Sequence, residues 1–199
     1  MVAKAKEKPQ IIGLTGNIGS GKTTVLKEFE KLGIKTLNSD YLVGKAYGQK
    51  KAQKELEKFF GTAEKKKIAK IALKDKKKLK ILEKIVQPIV LKELKAKIKK
   101  FGENSKKNSG GKKIFVVEVP LLFELKLQKL FSKIIVVHAP QNLRIARMEK
   151  RGYSKQEFMA LESNQIPLGK KIKLAGITID NGKSFFETRK SVESTLKKF

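Results

Sequence analysis

The chain first places a short, nearly unbroken apolar run, Gln10 to Leu14, against a glycine-rich turn. Runs that are apolar on both faces belong to strands buried inside a parallel sheet. From Lys22 to Leu32 the period changes: Val25, Leu26, Phe29 and Leu32 recur at helical spacing, and Gly33 closes the pattern. Ile34 to Leu37 then reads as a second strand. Strand, turn, helix and strand within about 30 residues form a βαβ unit, which predicts a parallel sheet with right-handed crossovers.

From about Asp40 to Lys100 the pattern is helical throughout. Leu56, Phe59 and Phe60 make one stripe; Leu79, Leu82, Ile85, Val86, Ile89, Val90 and Leu94 make another. The polar Gly102 to Lys113 stretch predicts a mobile surface connection. Strands resume at Ile114 to Val119 and Lys133 to His138, and helices follow at Asn142 to Arg151 and Ser154 to Gln165, with Gly152 between them. A last strand, Ile177 to Asp180, stops at Asn181-Gly182, and a helix from Ser184 to Lys198 closes the chain. The expected fold class is α/β, a three-layer parallel-sheet domain over residues 10–199 with a helical insertion and a helical lid. Its core comprises 10–39, 113–140 and 176–199, the insertion 40–101 and the lid 141–175, behind a flexible N-terminus of residues 1–9.

The turn after the first strand carries the candidate chemistry. Gly16-Asn17-Ile18-Gly19-Ser20-Gly21-Lys22-Thr23 matches G-x-x-x-x-G-K-[ST] at every fixed position, with a strand before it and a helix after it. In such a P-loop, backbone N–H groups turn inward around a phosphate and the helix N-terminus adds its positive end. Asn17, Ile18, Gly19, Ser20, Gly21, Lys22, Thr23 and Thr24 are the expected ATP-binding residues. Lys22 is expected to bridge the β- and γ-phosphates, and the Thr23 hydroxyl to ligate Mg²⁺.

A P-loop alone does not separate kinases, GTPases and motor ATPases. No N/T-K-x-D guanine-reading motif follows late in the chain. Small P-loop kinases place an acidic residue after the second strand and a basic lid over the phosphates. Asp40 supplies the first feature; Arg144, Arg147 and Arg151, spaced for one helical face, supply the second.

These motifs resemble the dephospho-coenzyme A kinase family. Ile12 to Thr23 is similar to its opening G-L-T-G-G-I-G-S-G-K-S/T, and Val119-Pro120-Leu121-Leu122-Phe123-Glu124 to its P-L-L-F-E signature. Gln165-Ile166-Pro167, Lys171 and Ile179-Asp180-Asn181-Gly182 match its C-terminal pattern, so the resemblance is collinear over roughly residues 10 to 197. It implies a P-loop kinase fold and transfer of the ATP γ-phosphoryl group to the ribose 3′-hydroxyl of dephospho-CoA. It further implies Asp40 as general base or orienter, and Lys22, Arg147 and Arg151 as the charges on the transferred group. Glu118 is implied as a Mg²⁺ ligand through water beside Thr23, and Asn181 and Gly182 as adenine contacts. Three departures, Asn38, Gln87 and Gly176, stand where the family has Asp, His and Asp, and fall on the acceptor side.

Composition changes this picture at one point. The net charge of +28 raises the alternative of a nucleic-acid-stimulated ATPase, but among 47 basic residues only four are Arg, the residue that reads bases bidentately. Scattered Lys reads as solvated surface, and no specific nucleic-acid partner is expected. A P-loop kinase of another nucleoside or nucleotide stays open as the other alternative. His138, the one histidine, reads as structural or solvent-exposed. With no cysteine, no secretory leader and no apolar run of about 18 residues, a cytoplasmic protein with no membrane partner is expected.

Overall fold

The computed structural model describes residues 8–107 and 113–199, which fall into two compact units. One comprises residues up to Asn38 together with Ile98–Phe199, the other Ser39–Lys97.

The first unit is built on a five-stranded sheet with strand order β2-β3-β1-β4-β5. β1 (Gln10–Thr15) lies at its centre, between β3 (Ile114–Glu118) and β4 (Lys133–His138), and all the pairings are parallel. β2 (Lys35–Asn38) and β5 (Ile177–Asp180) form the edges. β3 is buried at every position and β1 at all but the first, because helices cover both faces of a parallel sheet. The chain turns from one half of the sheet to the other at β1, and an open α/β sheet places its crevice at the carboxyl ends of strands at such a point.

α1 (Lys22–Lys31) buries Val25, Leu26 and Phe29 against Ile12, Leu14, Val116 and Ile179. α9 (Phe185–Leu196) adds Val192 to the same core. Its start is fixed by a reciprocal capping box. The Glu187 N–H donates to Ser184 Oγ at 3.2 Å, and the Ser184 N–H and hydroxyl donate to Glu187 Oε2 at 3.1 and 2.8 Å. Led by the Ser184 hydroxyl, these bonds hold the Glu187 carboxyl below its ordinary value. A depressed carboxylate stabilises the fold at neutral pH, and that contribution fades as pH falls through the folded-state value. Ser184→Ala is therefore expected to lower the unfolding midpoint by about 2–4 °C at pH 7. The gap from wild type should narrow below pH 4, which thermal scans at the two pH values would check.

The second unit is wholly helical. It contains α2 (Ser39–Tyr47), α3 (Lys50–Phe60), α4 (Lys65–Lys74) and the start of α5 (Lys76–Lys107). Ala52, Leu56, Phe60, Ile68, Ala72, Ile85 and Val86 form its core. Pro88 lies inside α5, the position where the family resemblance expects His-Pro and this chain has Gln87-Pro88.

Two expectations change. The polar stretch from Gly102 is not a connection throughout, since α5 continues to Lys107. Phe101 is buried and stacks on Phe115 of β3 at 4.8 Å, and that contact outweighs the roughly 1 kcal/mol cost of Gly102 in a helix. The rest of that stretch, 108–112, lies outside the described residues, as do residues 1–7 of the expected flexible N-terminus. The helix expected over Asn142 to Arg151 ends at Glu149, where the Tyr153 N–H turns back to the Met148 carbonyl at 3.1 Å. A seven-residue helix that the sequence pattern does not predict, α8 (Leu168–Leu174), follows α7 (Lys155–Ser163).

Candidate active site

The loop between β1 and α1 leaves the carboxyl end of the central strand and leads into the N-terminus of α1. None of its three glycines can be replaced without strain, and Gly19, at φ +75°, would place a Cβ 2.7 Å from the Arg144 carbonyl oxygen. Gly16 has φ +153°, and a Cβ there would lie 2.2 Å from the Val137 carbonyl oxygen of β4. Gly21 has φ +85°, and its Cβ would meet Asn181 Nδ2 at 1.9 Å. All three φ values lie in the region that only glycine enters cheaply. The Lys22 ammonium donates across the loop to the carbonyls of Gly16 and Asn17 at 3.1 and 3.3 Å. Ser20 Oγ and Asn17 Oδ1 are buried and have no hydrogen-bond partner. A tight cradle of backbone with an unpartnered hydroxyl fits a phosphate group.

Thr23 lies in the first turn of α1, and its hydroxyl lies 3.3 Å from both carboxylate oxygens of Glu118, the buried last residue of β3. One hydroxyl and one carboxylate are hard oxygen donors, the kind of set Mg²⁺ accepts while keeping several waters. Among the described residues no cluster of three or more His, Cys, Asp or Glu offers an all-protein cage. The donor set thus fits the ion expected from the sequence.

The loop is supported from behind by α6 (Gln141–Glu149) and the turn after β5. Arg147 donates from Nη1 to the carbonyls of Gly19 and Ser20 at 3.3 and 3.4 Å, and from Nη2 to that of Asn181 at 2.8 Å. Burial, and then the neighbouring Arg151 charge, pull the Arg147 guanidinium below its ordinary value. Asn181 is 5% exposed, and both ends of its carboxamide are engaged. Nδ2 donates to the Ser20 carbonyl at 2.8 Å, and Oδ1 accepts from the Thr188 hydroxyl at 3.0 Å. Gly182 follows; a Cβ there would lie 2.4 Å from Pro140 Cδ. The Asn181 side chain is thus committed to the loop backbone.

The three arginines do not share one exposed face. Arg144 is 4% exposed, ion-paired with Glu162 at 2.5 Å and stacked 5.4 Å from the Phe158 ring. Arg147 is half-buried against the loop, and Arg151 is exposed beyond the end of α6. The sheet unit therefore brings together Gly16–Thr23, Glu118, Arg147, Asn181 and Gly182. Thr24 is exposed on the first turn of α1. Asp40 belongs to the helical unit and stands exposed in the first turn of α2, two residues along the chain from Asn38, which pairs in register with Glu118.

The dephospho-CoA kinase family model matches residues 10–187. The chain belongs to the dephospho-CoA kinase family. The dephospho-CoA kinase of Carboxydothermus hydrogenoformans is 35% identical, covering 95% of this chain and 94% of its own length. That of Aquifex aeolicus is 36% identical over 92% of this chain and 93% of its own. A solved structure of a Thermus thermophilus protein superposes with a TM-score of 0.75 at 30% identity, covering 97% of this chain and 99% of that one. As a dephospho-CoA kinase family member the chain is an ATP-dependent phosphotransferase with a P-loop kinase fold. Among the described residues no helix is long and apolar enough to cross a membrane.

Two features of the site were not read as functional in the sequence. Gln165 accepts from the Ile18 N–H at 2.9 Å, and Glu124 pairs with the fully buried Lys171 at 2.8 Å. Both lie in the family's Q-x-P and P-L-L-F-E signatures, which were the available signal, but nothing local in the sequence says what they touch. His138 is partly buried, 3.8 Å from Asp180.

Proposed function

We propose that the chain transfers the γ-phosphoryl group of ATP to the ribose 3′-hydroxyl of dephospho-CoA, giving CoA. The observation that carries this reading is the match to the dephospho-CoA kinase family over residues 10–187. The loop geometry supports it. ATP phosphates lie in the Gly16–Thr23 cradle, where the N–H groups, the Ser20 hydroxyl and Lys22 receive their charge. Thr23 and Glu118 hold Mg²⁺, which when bound neutralises phosphate charge. Asp40 accepts or orients the proton of the attacking hydroxyl. Arg147 and Arg151 supply positive charge for the transferred group, Arg151 from its exposed position beyond α6 and Arg147 while bracing the loop through the carbonyls of Gly19, Ser20 and Asn181. Asn181 and Gly182 shape the adenine end. Both substrates are water-soluble, which supports a cytoplasmic reaction.

The test is to mix the protein with Mg·ATP and dephospho-CoA and weigh the products. One added phosphoryl group on the acceptor is expected. No phosphorylated acceptor at micromolar enzyme, with ATP hydrolysis indifferent to acceptor, would remove the assignment. Preference for another nucleoside or nucleotide in an acceptor panel would reassign the substrate, and hydrolysis stimulated by RNA or DNA would reassign the class.

A further inference from the structure

Ile18, in the middle of the phosphate loop, has both of its backbone polar groups engaged by the α6–α8 segment. Its N–H donates to Gln165 Oε1 at 2.9 Å, and its carbonyl accepts from Arg144 Nη1 at 3.3 Å. Each partner is itself fixed. Arg144 is buried, donates from Nε to the Ala139 carbonyl at 3.1 Å, and is paired with Glu162. The Gln165 N–H donates to the Glu162 carbonyl at 2.9 Å, and the next residue's N–H, that of Ile166, donates to Glu124 Oε1 at 2.9 Å.

Glu124 also anchors the far side of Pro167. Its Oε1 lies 2.8 Å from the ammonium of Lys171 in α8, which is completely buried. The contact is misaligned for a hydrogen bond, so Lys171 Nζ and Glu124 Oε2 are held by charge and keep unmet hydrogen-bonding capacity. A fully buried ammonium is tolerated only beside an opposite charge, so this pair fixes where α8 can lie. The backbone that carries Gln165 is thus held in place from both sides.

We propose that Gln165 is a positioning residue for the donor phosphates, and that the Glu124–Lys171 pair acts through it. The placement of the α6–α8 segment and the shape of the phosphate loop are then one equilibrium, coupled at the Ile18 amide. This deepens the kinase reading and rests on it. It also gives the Ile18 N–H the job of holding the loop's shape.

The test is a mutant cycle with two readouts. Gln165→Leu keeps the side-chain volume and removes the acceptor. Glu124→Gln combined with Lys171→Met removes the buried pair and leaves no uncompensated charge. In Gln165→Leu, kcat/KM for ATP is expected to fall about tenfold, the scale of one orphaned amide, while KM for the acceptor moves less than about twofold. The Glu124→Gln/Lys171→Met variant should lose about threefold to tenfold. Because both act through one bond, the triple variant should lose no more than about twofold beyond Gln165→Leu alone. Independent structural damage would instead give additive losses, and additivity overturns the proposal. So does a Gln165→Leu enzyme within twofold of wild type. The second readout is hydrogen exchange of the Ile18 amide in the protein without acceptor, expected to quicken about tenfold in Gln165→Leu; unchanged exchange also overturns it. A wild-type enzyme inactive on dephospho-CoA would remove the acceptor assignment, while the exchange measurement would still decide the tether.

Discussion

Asp40→Asn is expected to reduce phosphoryl transfer by about 10²–10⁴-fold while leaving ATP affinity within a few-fold of wild type. The substitution keeps the side chain's size but replaces one acceptor oxygen with an NH₂ donor, and so removes its capacity to take the proton of the attacking hydroxyl. Its position makes this specific. β2 ends at Asn38, in register with Glu118 at the carboxyl edge of the sheet, and Asp40 follows in the first turn of α2. The donor side is built from other residues: the loop, Glu118, Arg147 and Asn181 all belong to the sheet unit. Loss of transfer with intact nucleotide binding therefore isolates the acceptor step. Product formation under saturating ATP, alongside an ATP titration, measures both quantities. Turnover within threefold of wild type would take Asp40 out of the mechanism, and a parallel loss of ATP affinity would make it a donor-site residue.

What could be read from the sequence and what could not divides by the range of the interaction. The phosphate loop was legible because its requirements are local: glycines at fixed spacing, a strand before and a helix after. The strands β1, β3 and β4 were legible because burial on both faces leaves an unbroken apolar run. α8 was missed because Leu168–Leu174 is short and lysine-rich, and its burial depends on Lys171 meeting Glu124 far away in the chain. The continuation of α5 was missed because Phe101 on Phe115 is likewise a tertiary contact. The arginines show the same limit. Helical spacing placed Arg144, Arg147 and Arg151 on one face, but it could not show that Arg144 is buried against Glu162 or that α6 stops before Arg151. Asn181 was marked by its family motif, whereas its bond to Ser20 joins residues 161 apart in sequence. Motif residues were therefore found, and several of their tasks were visible only once the fold brought them together.

Gly16→Ala should cost more ATP affinity than loss of any single contact around the loop. The added Cβ would lie 2.2 Å from the Val137 carbonyl oxygen and 2.8 Å from Ser20 Oγ. The first of these is backbone of an interior strand: Val137 is in register with Ile179 of β5, and the preceding Val136 with Thr15 of β1. Shifting β4 would break ladders on both sides, so the loop has to move instead. At φ +153° the alanine also carries conformational strain of about 1–3 kcal/mol. Both effects push the loop from the shape that aims its amides inward. Losing one hydrogen bond to a charged group costs about 1.5–3 kcal/mol, and here several are displaced together. We expect Mg·ATP affinity to fall at least about 100-fold, read by calorimetry, with the unfolding midpoint lowered. Gly44→Ala is the matched control: it lies in α2, a methyl group added there would have nothing within 4 Å, and the variant should bind ATP as wild type does. If Gly16→Ala bound ATP within threefold of wild type, the loop would be able to relax around the methyl group, and the tight packing of Gly16 on β4 would not be what holds the cradle in shape.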